Sequence, residues 1–255
     1  MAKTIAIANQ KGGVGKSTTA QSLGAALHMK GFKVLLIDLD PQSDISYTTK
    51  ASASYITIYE VLKKEASAKE AIQKTYQGDI IPADSALASL GAELTSTGKE
   101  FKLKEALSKV KKDYDFIIID TPPSLGILTI NALTASDSVL IPAQADIYSL
   151  QGIGQLNEAI EAVRKYCNPT LEIEGILLTR HNPRTIIGQD MQELMEDTAK
   201  SLNTKVFKTF IREAVAMKES QAMRESIFNY DPSSNPAKDY ISFLEELLGG
   251  SETNE

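Results

Sequence analysis

Two runs in this chain, Val34-Leu35-Leu36-Ile37 and Phe116-Ile117-Ile118-Ile119, are apolar at every position rather than at alternate ones. A strand of that kind leaves no face for water, so it belongs in a sheet covered on both sides. Other short apolar segments recur along the chain and alternate with longer stretches of helical spacing. Parallel neighbours need long crossovers, and the helical stretches supply them. The spacing predicts strands over 4–8, 33–37, 79–81, 116–119, 138–141 and 173–179. It predicts helices over 16–29, 99–112, 127–135, 152–166, 188–202 and 237–248, with two short helices between 56 and 76. The expected fold class is α/β: a doubly wound, mostly parallel sheet covered by helices on both faces. No repeat or Pro/Ser-rich linker divides the chain, so 1–248 reads as one domain and 249–255 as a flexible acidic tail.

After the first predicted strand comes Lys11-Gly12-Gly13-Val14-Gly15-Lys16-Ser17-Thr18. Glycines let a backbone fold round a phosphate chain and turn its N–H groups toward the oxygens. The helix that begins near Lys16 adds its positive end, Lys16 can reach the β- and γ-phosphates, and the Ser17 hydroxyl can ligate Mg²⁺. The common pattern G-x-x-x-x-G-K-[ST] places its first glycine where this chain has Gln10, and here a second lysine, Lys11, precedes Gly12 and Gly13. A glycine pair can serve close packing alone, but the lysine-hydroxyl ending between a strand and a helix marks a P-loop nucleotide site.

Open α/β sheets bind ligands at the carboxyl ends of their strands. Three acids sit there: Asp120 after 116–119, and Asp38 and Asp40 after 34–37. Asp120 has the placement of an acid that holds Mg²⁺ directly or through water. Asp38 and Asp40 are two apart and share a side if the chain stays extended, one to organise the metal and the other the attacking water.

The loop with its extra Lys11, together with Asp38-Leu39-Asp40-Pro41-Gln42 and Asp120-Thr121-Pro122-Pro123, resembles the deviant Walker-A ATPases, and closely the ParA/Soj group of the ParA/MinD superfamily. The resemblance runs from residue 3 to about 248. It implies ATP hydrolysis that is slow and stimulated by a partner, with ATP and Mg²⁺ as cofactors and an ATP-dependent sandwich homodimer. Lys11 would act across that dimer on the other subunit's phosphates. Asp40 would position the hydrolytic water, Asp38 would stand close to Mg²⁺, and Thr121-Pro122-Pro123 would relay phosphate state. Asn182, in Thr179-Arg180-His181-Asn182-Pro183, corresponds to a base contact in related ATPases. The other base-contacting segment falls at Ile211-Arg212-Glu213-Ala214, where Arg212 and Ala214 replace the usual proline and asparagine. The resemblance also implies non-specific DNA binding on the nucleoid and a centromere-binding, ParB-like partner protein.

The remaining composition bounds these expectations. With 27 Lys+Arg against 33 Asp+Glu the net charge is −6, which argues against a protein that coats DNA with its whole surface. Five cations, Lys205, Lys208, Arg212, Lys218 and Arg224, crowd one twenty-residue stretch and form the candidate DNA-binding face. The single cysteine, Cys167, can close no intramolecular disulfide and build no thiolate cluster, and fits a structural thiol in a reducing compartment. No charged leader precedes the first strand, and no apolar run reaches the roughly 20 residues that span a bilayer, so a cytoplasmic protein is expected. The last helical stretch is acidic on its polar side, which sets this chain apart from membrane-cycling division-site relatives and predicts no stable membrane association. A nucleotide-gated repressor with incidental turnover is the other alternative.

Overall fold

The computed structural model describes residues 2–183 and 186–249, with the side chains of 186 and 187 outside that description. Seven strands are β1 (Lys3–Ile7), β2 (Val34–Asp38), β3 (Gln73–Thr75), β4 (Gly78–Ile81), β5 (Phe116–Asp120), β6 (Ser138–Ala143) and β7 (Glu172–Leu178). The α-helices are α1 (Lys16–Met29), α2 (Asp44–Thr48), α3 (Ile58–Lys63), α4 (Ala68–Ala71), α5 (Leu90–Glu93), α6 (Lys102–Ser108), α7 (Ile127–Ala135), α8 (Ile147–Tyr166), α9 (Ile186–Ser201), α10 (Val215–Ala222), α11 (Ile227–Tyr230) and α12 (Asn235–Leu247). The strands form one sheet in the order β3-β4-β2-β5-β1-β6-β7, parallel except between β3 and β4.

Alternate residues of each central strand enter different cores, which is why these strands are apolar throughout. Leu35, Ile37, Ile117 and Ile119 pack on the face covered by α3, α6, α7 and α8. Val34, Leu36, Phe116 and Ile118 pack on the opposite face, against α1 and α12. β5 pairs with β1 on one side and β2 on the other, so three carboxyl ends open at one edge. The β2–β5 register sets Asp38 directly opposite Asp120.

Four local expectations change. The second of the two short helices ends at Ala71, and Gln73–Thr75 is instead an antiparallel edge strand; its partly solvated, alternating side chains suit an edge. The helix expected over 99–112 is a seven-residue α6 flanked by 3₁₀ turns at 99–101 and 111–113. Helix α8 starts at Ile147, because Asp146 caps it by accepting a hydrogen bond from the Ser149 N–H at 2.9 Å. The helix expected over 237–248 is α12, Asn235–Leu247, on which Phe243 and Leu244 are fully buried, while Leu248 lies past the last turn and is exposed. Cys167 is a half-buried free thiol just beyond α8. Of the expected tail only Gly249 is described; 250–255 lie outside the described residues.

Candidate functional site

The loop between β1 and α1 is shaped by two left-handed glycines, Gly13 at φ 75° and Gly15 at φ 84°. A side chain at either position would strain the turn. Gly15 caps α1, yet no side chain accepts from the first turn and no acid stands in it. The first-turn N–H groups and the helix dipole are therefore left for an anion. Neighbouring elements hold the loop in place. The Asn9 side-chain Oδ1 accepts from the Lys11 N–H at 3.0 Å while its Nδ2 donates to the Pro142 carbonyl at 2.7 Å, and the Thr179 hydroxyl donates to the Val14 carbonyl at 2.8 Å. Gly12 meets no such demand, being open on its Cβ side.

Lys16 is buried and donates to the Lys11 carbonyl at 3.4 Å. Burial pulls its ammonium below the ordinary lysine range, while Asp120 and Asp40 oppose that pull. The lysine thus sits between the loop and the strand-end acids.

Asp120 and Asp38 stand side by side with opposite fates. Asp38 is wholly buried, and its carboxylate accepts from the Ser46 N–H at 2.9 Å, the Ser46 hydroxyl at 2.7 Å and the Asp40 N–H at 3.1 Å. Burial raises its carboxyl to about 6 in spite of those bonds. Asp120 is equally buried, yet neither oxygen has a hydrogen-bond partner within bonding geometry. Burial and then the Asp38 charge push it well above the carboxylate range, with the nearby Ser17 hydroxyl and Lys16 opposing. Two buried oxygens that no protein group uses, beside a hydroxyl, fit a divalent cation. Among the described residues no group of three or more His, Cys, Asp or Glu could hold a metal by itself. A cation held there would take its other ligands from phosphate oxygens and water, the usual set for Mg²⁺. Of the three expected metal residues, Ser17 and Asp120 stand beside one another, whereas Asp38 is engaged in anchoring α2 through Ser46.

Asp40 is buried at the start of the segment leading to α2, and one of its oxygens accepts from the Gln42 N–H at 3.0 Å. Thr121 is buried and donates from its hydroxyl to the Ile7 carbonyl at 2.9 Å, which ties the end of β5 to that of β1. The Lys11 ammonium forms an ion pair with Asp146 and donates to Gln144 at 3.2 Å and to Ser149 at 3.5 Å, all within its own chain. Gln144 also donates to the Gly13 carbonyl at 3.3 Å. The start of α8 therefore grips the loop at two points. Sequence reasoning passed over Asp146, although an acid three residues before a serine at a helix start is a capping signal.

Beside the loop a cavity is lined by Gly15, Thr18, Ile211, Met217, Gln221 and Tyr240, among others. Arg212 and Lys218 also border it, but the Arg212 guanidinium is bound to Asp239, at 2.6 Å for the shortest contact. Asn182 lines an adjoining cavity with His181 and Phe210 instead. Arg180, Arg212 and Glu213 line both cavities, and Asn182 stands on the side away from Gly15 and Thr18. His181 is buried edge-on against Phe210, a packing residue. Met217, Gln221 and Tyr240 were missed; they come from α10 and α12, remote in sequence, and carry no local motif.

Two of the five cations of the expected DNA face are engaged within the chain, Arg212 with Asp239 and Arg224 with Tyr47. Residues 205–211 run alongside β7, with bridges Ile176 to Val206 and Thr179 to Ile211. Lys205 lies over the Phe207 ring, Lys208 and Lys218 are exposed, and the Arg224 guanidinium covers the Tyr47 ring at 4.5 Å.

The sequence matches the AAA domain family over residues 2–173. It is 43% identical over 252 residues to the sporulation initiation inhibitor protein Soj of Bacillus subtilis, covering 97% of this chain and 98% of that protein. It is 37% identical over 253 residues to the chromosome partitioning protein ParA of Caulobacter vibrioides, covering 96% and 94%. The fold matches a crystal structure of cobyrinic acid a,c-diamide synthase from Mycobacterium smegmatis with bound ADP and magnesium. That match has a TM-score of 0.84 and 35% identity over 97% of this chain and 94% of the other. Among the described residues no helix is long and apolar enough to cross a membrane.

Proposed function

Because the chain belongs to the ParA/Soj family of ATPases, we propose that it is a DNA-partition switch that Mg-ATP sets and hydrolysis resets. The observation that carries this reading is the pairing of an uncapped α1 N-terminus with the unpartnered carboxylate of Asp120. The loop N–H groups and Lys16 would bind the β- and γ-phosphates, and Ser17 with Asp120 would hold Mg²⁺, which when bound would supply charge neutralisation at the phosphates. Asp40 orients the attacking water, with Asp38 and Ser46 fixing the segment on which it stands. Lys11 leaves Asp146 to reach the phosphates of a second subunit, so the homodimer is completed by ATP.

The dimer binds DNA without sequence preference, and a ParB-like partner stimulates the slow turnover that releases it. We place the DNA contact on the basic residues of 205–218, Lys205, Lys208, Arg212 and Lys218, from both subunits. A monomer of net charge −6 binds DNA weakly, and pairing two basic faces converts it to a strong binder. The protein works in the cytoplasm on the nucleoid, without stable membrane association.

The test is gel filtration and DNA retention of the Asp40→Ala protein with ATP and with ADP. A dimer that retains DNA in ATP alone is expected. Elution and retention indifferent to nucleotide would overturn the switch. A wild-type turnover rate indifferent to both DNA and partner would favour a nucleotide-gated repressor.

A further inference from the structure

The base-side cavity and the switch segment are joined by a chain of contacts through a surface far from the phosphates. Helix α10 supplies Met217 and Gln221 to the cavity beside the loop, and Gln221 donates to the Thr18 hydroxyl on α1 at 2.9 Å. Two residues past the end of α10, Arg224 takes a left-handed conformation, φ 57°, which is costly for a side chain with a Cβ. The surroundings hold it there. The Tyr76 hydroxyl donates to the Arg224 carbonyl at 3.1 Å and accepts from the Ser226 N–H at 3.2 Å and the Gln77 amide at 2.9 Å. From that backbone the Arg224 guanidinium lies over the Tyr47 ring and donates through Nε to the Tyr47 carbonyl at 2.7 Å.

Tyr47 belongs to α2, the helix that follows Asp40 and carries Ser46, the anchor of Asp38. Its neighbour Thr48 donates to the Gln21 side chain on α1 at 3.0 Å, and Gln21 donates on to Gln77 at 2.9 Å. Thr48, Gln21 and Gln77 are buried, so this inner part of the network is shielded from water, while Tyr47 and Tyr76 lie at its exposed rim. Between α1, α2 and α10 lies a cavity of about 310 Å³, lined by Ser17, Thr18, Gln21, Asp44, Tyr47 and Gln221 among others. It gives α2 room to shift, and the Arg224 contact bridges its rim from α10 to α2.

We propose that Arg224 is a positioning residue that couples occupancy of the base cavity to the placement of α2, and through it to Asp40. A base seated against Met217 and Gln221 fixes α10, α10 fixes Arg224, and Arg224 fixes Tyr47. The assignment rests on the reading of the site as a nucleotide site, and it gives Arg224 a role other than DNA contact. Phosphate binding alone would then leave α2 looser than phosphate and base together.

Hydrogen exchange of the full chain with saturating Mg-ADP and with saturating Mg-pyrophosphate tests this, since both fill the loop and only ADP carries a base. In wild type, ADP is expected to slow exchange at 44–49 about fivefold more than pyrophosphate, the low end of coupling between sites. In Arg224→Ala that difference disappears, while protection at 16–21 by both ligands remains. Tyr76→Phe, which removes one oxygen from a half-exposed residue, shrinks the difference without abolishing it. With ATP, Arg224→Ala should lower kcat and leave KM within about twofold, the split expected when a group acts only on the reacting arrangement. Persistence of the full difference in Arg224→Ala, or its absence in wild type, overturns the coupling. No protection by either ligand at 16–21 in wild type would instead overturn the nucleotide site itself.

Discussion

The ends of β2 and β5 present the same residue, one strand apart, in the same register and fully buried, yet Asp38 is saturated with hydrogen bonds and Asp120 has none. Desolvation raises both carboxyls, so burial alone does not separate their roles. The partners do. Three donors from Ser46 and Asp40 make Asp38 a structural anchor for α2, whereas the bare oxygens of Asp120 cost stability unless a cation meets them. A site that needs a metal keeps one acid unsatisfied; a switch that needs a fixed hinge satisfies the other.

Several substitutions can break or sharpen this contrast. The largest effect is expected from Asp120→Asn, which should lower Mg-ATP turnover by up to about 10³-fold, the upper end of the scale for removing a charge-stabilising group. The same variant should unfold no more easily than wild type in the absence of metal, since it removes a buried unpaired charge. Phosphate release and a denaturant titration check the two halves. Next comes Asp40→Ala, expected to cut kcat about 10²-fold with ATP affinity preserved, as measured by single turnover and calorimetric binding. Asp38→Ala should act mainly on stability, costing about 2–3 kcal/mol by orphaning three donors, read from the shift in denaturation midpoint. Ser46→Ala is milder; it loses the 2.7 Å bond to Asp38 and the bond it accepts from the Ala83 N–H at 2.9 Å, for about 1–2 kcal/mol.

Acidity offers a second handle on the same pair. Asp38 titrates near 6 in the fold against 3.8 as an ordinary carboxyl, so the folded state holds the proton more tightly in between. Stability from this group is full below about pH 4 and is lost as pH rises through 6. Asp120 shifts in the same direction. Thermal denaturation of the metal-free protein from pH 4 to 7 should therefore show a smaller loss for Asp120→Asn than for wild type, because one titrating group and the repulsion on its neighbour are both gone. An identical slope for the two proteins would contradict the assignment.

What could be read in advance divides along the same line of locality. The all-apolar strands specified a sheet covered on both faces, and the loop from Lys11 to Thr18 marked the candidate phosphate site, because each depends on residues adjacent in sequence. The strand over 73–75 was hidden, since three partly polar residues at a sheet edge carry no apolar signal. The cavity beside the loop was hidden more deeply. Its walls come from α1, α10 and α12, and only tertiary packing brings Thr18, Gln221 and Tyr240 together. Charge spacing was silent in its own way: five cations within twenty residues read as one face, and only the fold shows that Asp239 and Tyr47 engage two of them.

The most direct measurement is calorimetric titration of ATP into wild type and Asp120→Asn, each with Mg²⁺ and with chelator, under conditions that block turnover. If Asp120 is the cation's protein carboxylate, Mg²⁺ should tighten binding to wild type at least tenfold and leave Asp120→Asn nearly unaffected. The same enhancement by Mg²⁺ in both proteins would contradict that claim.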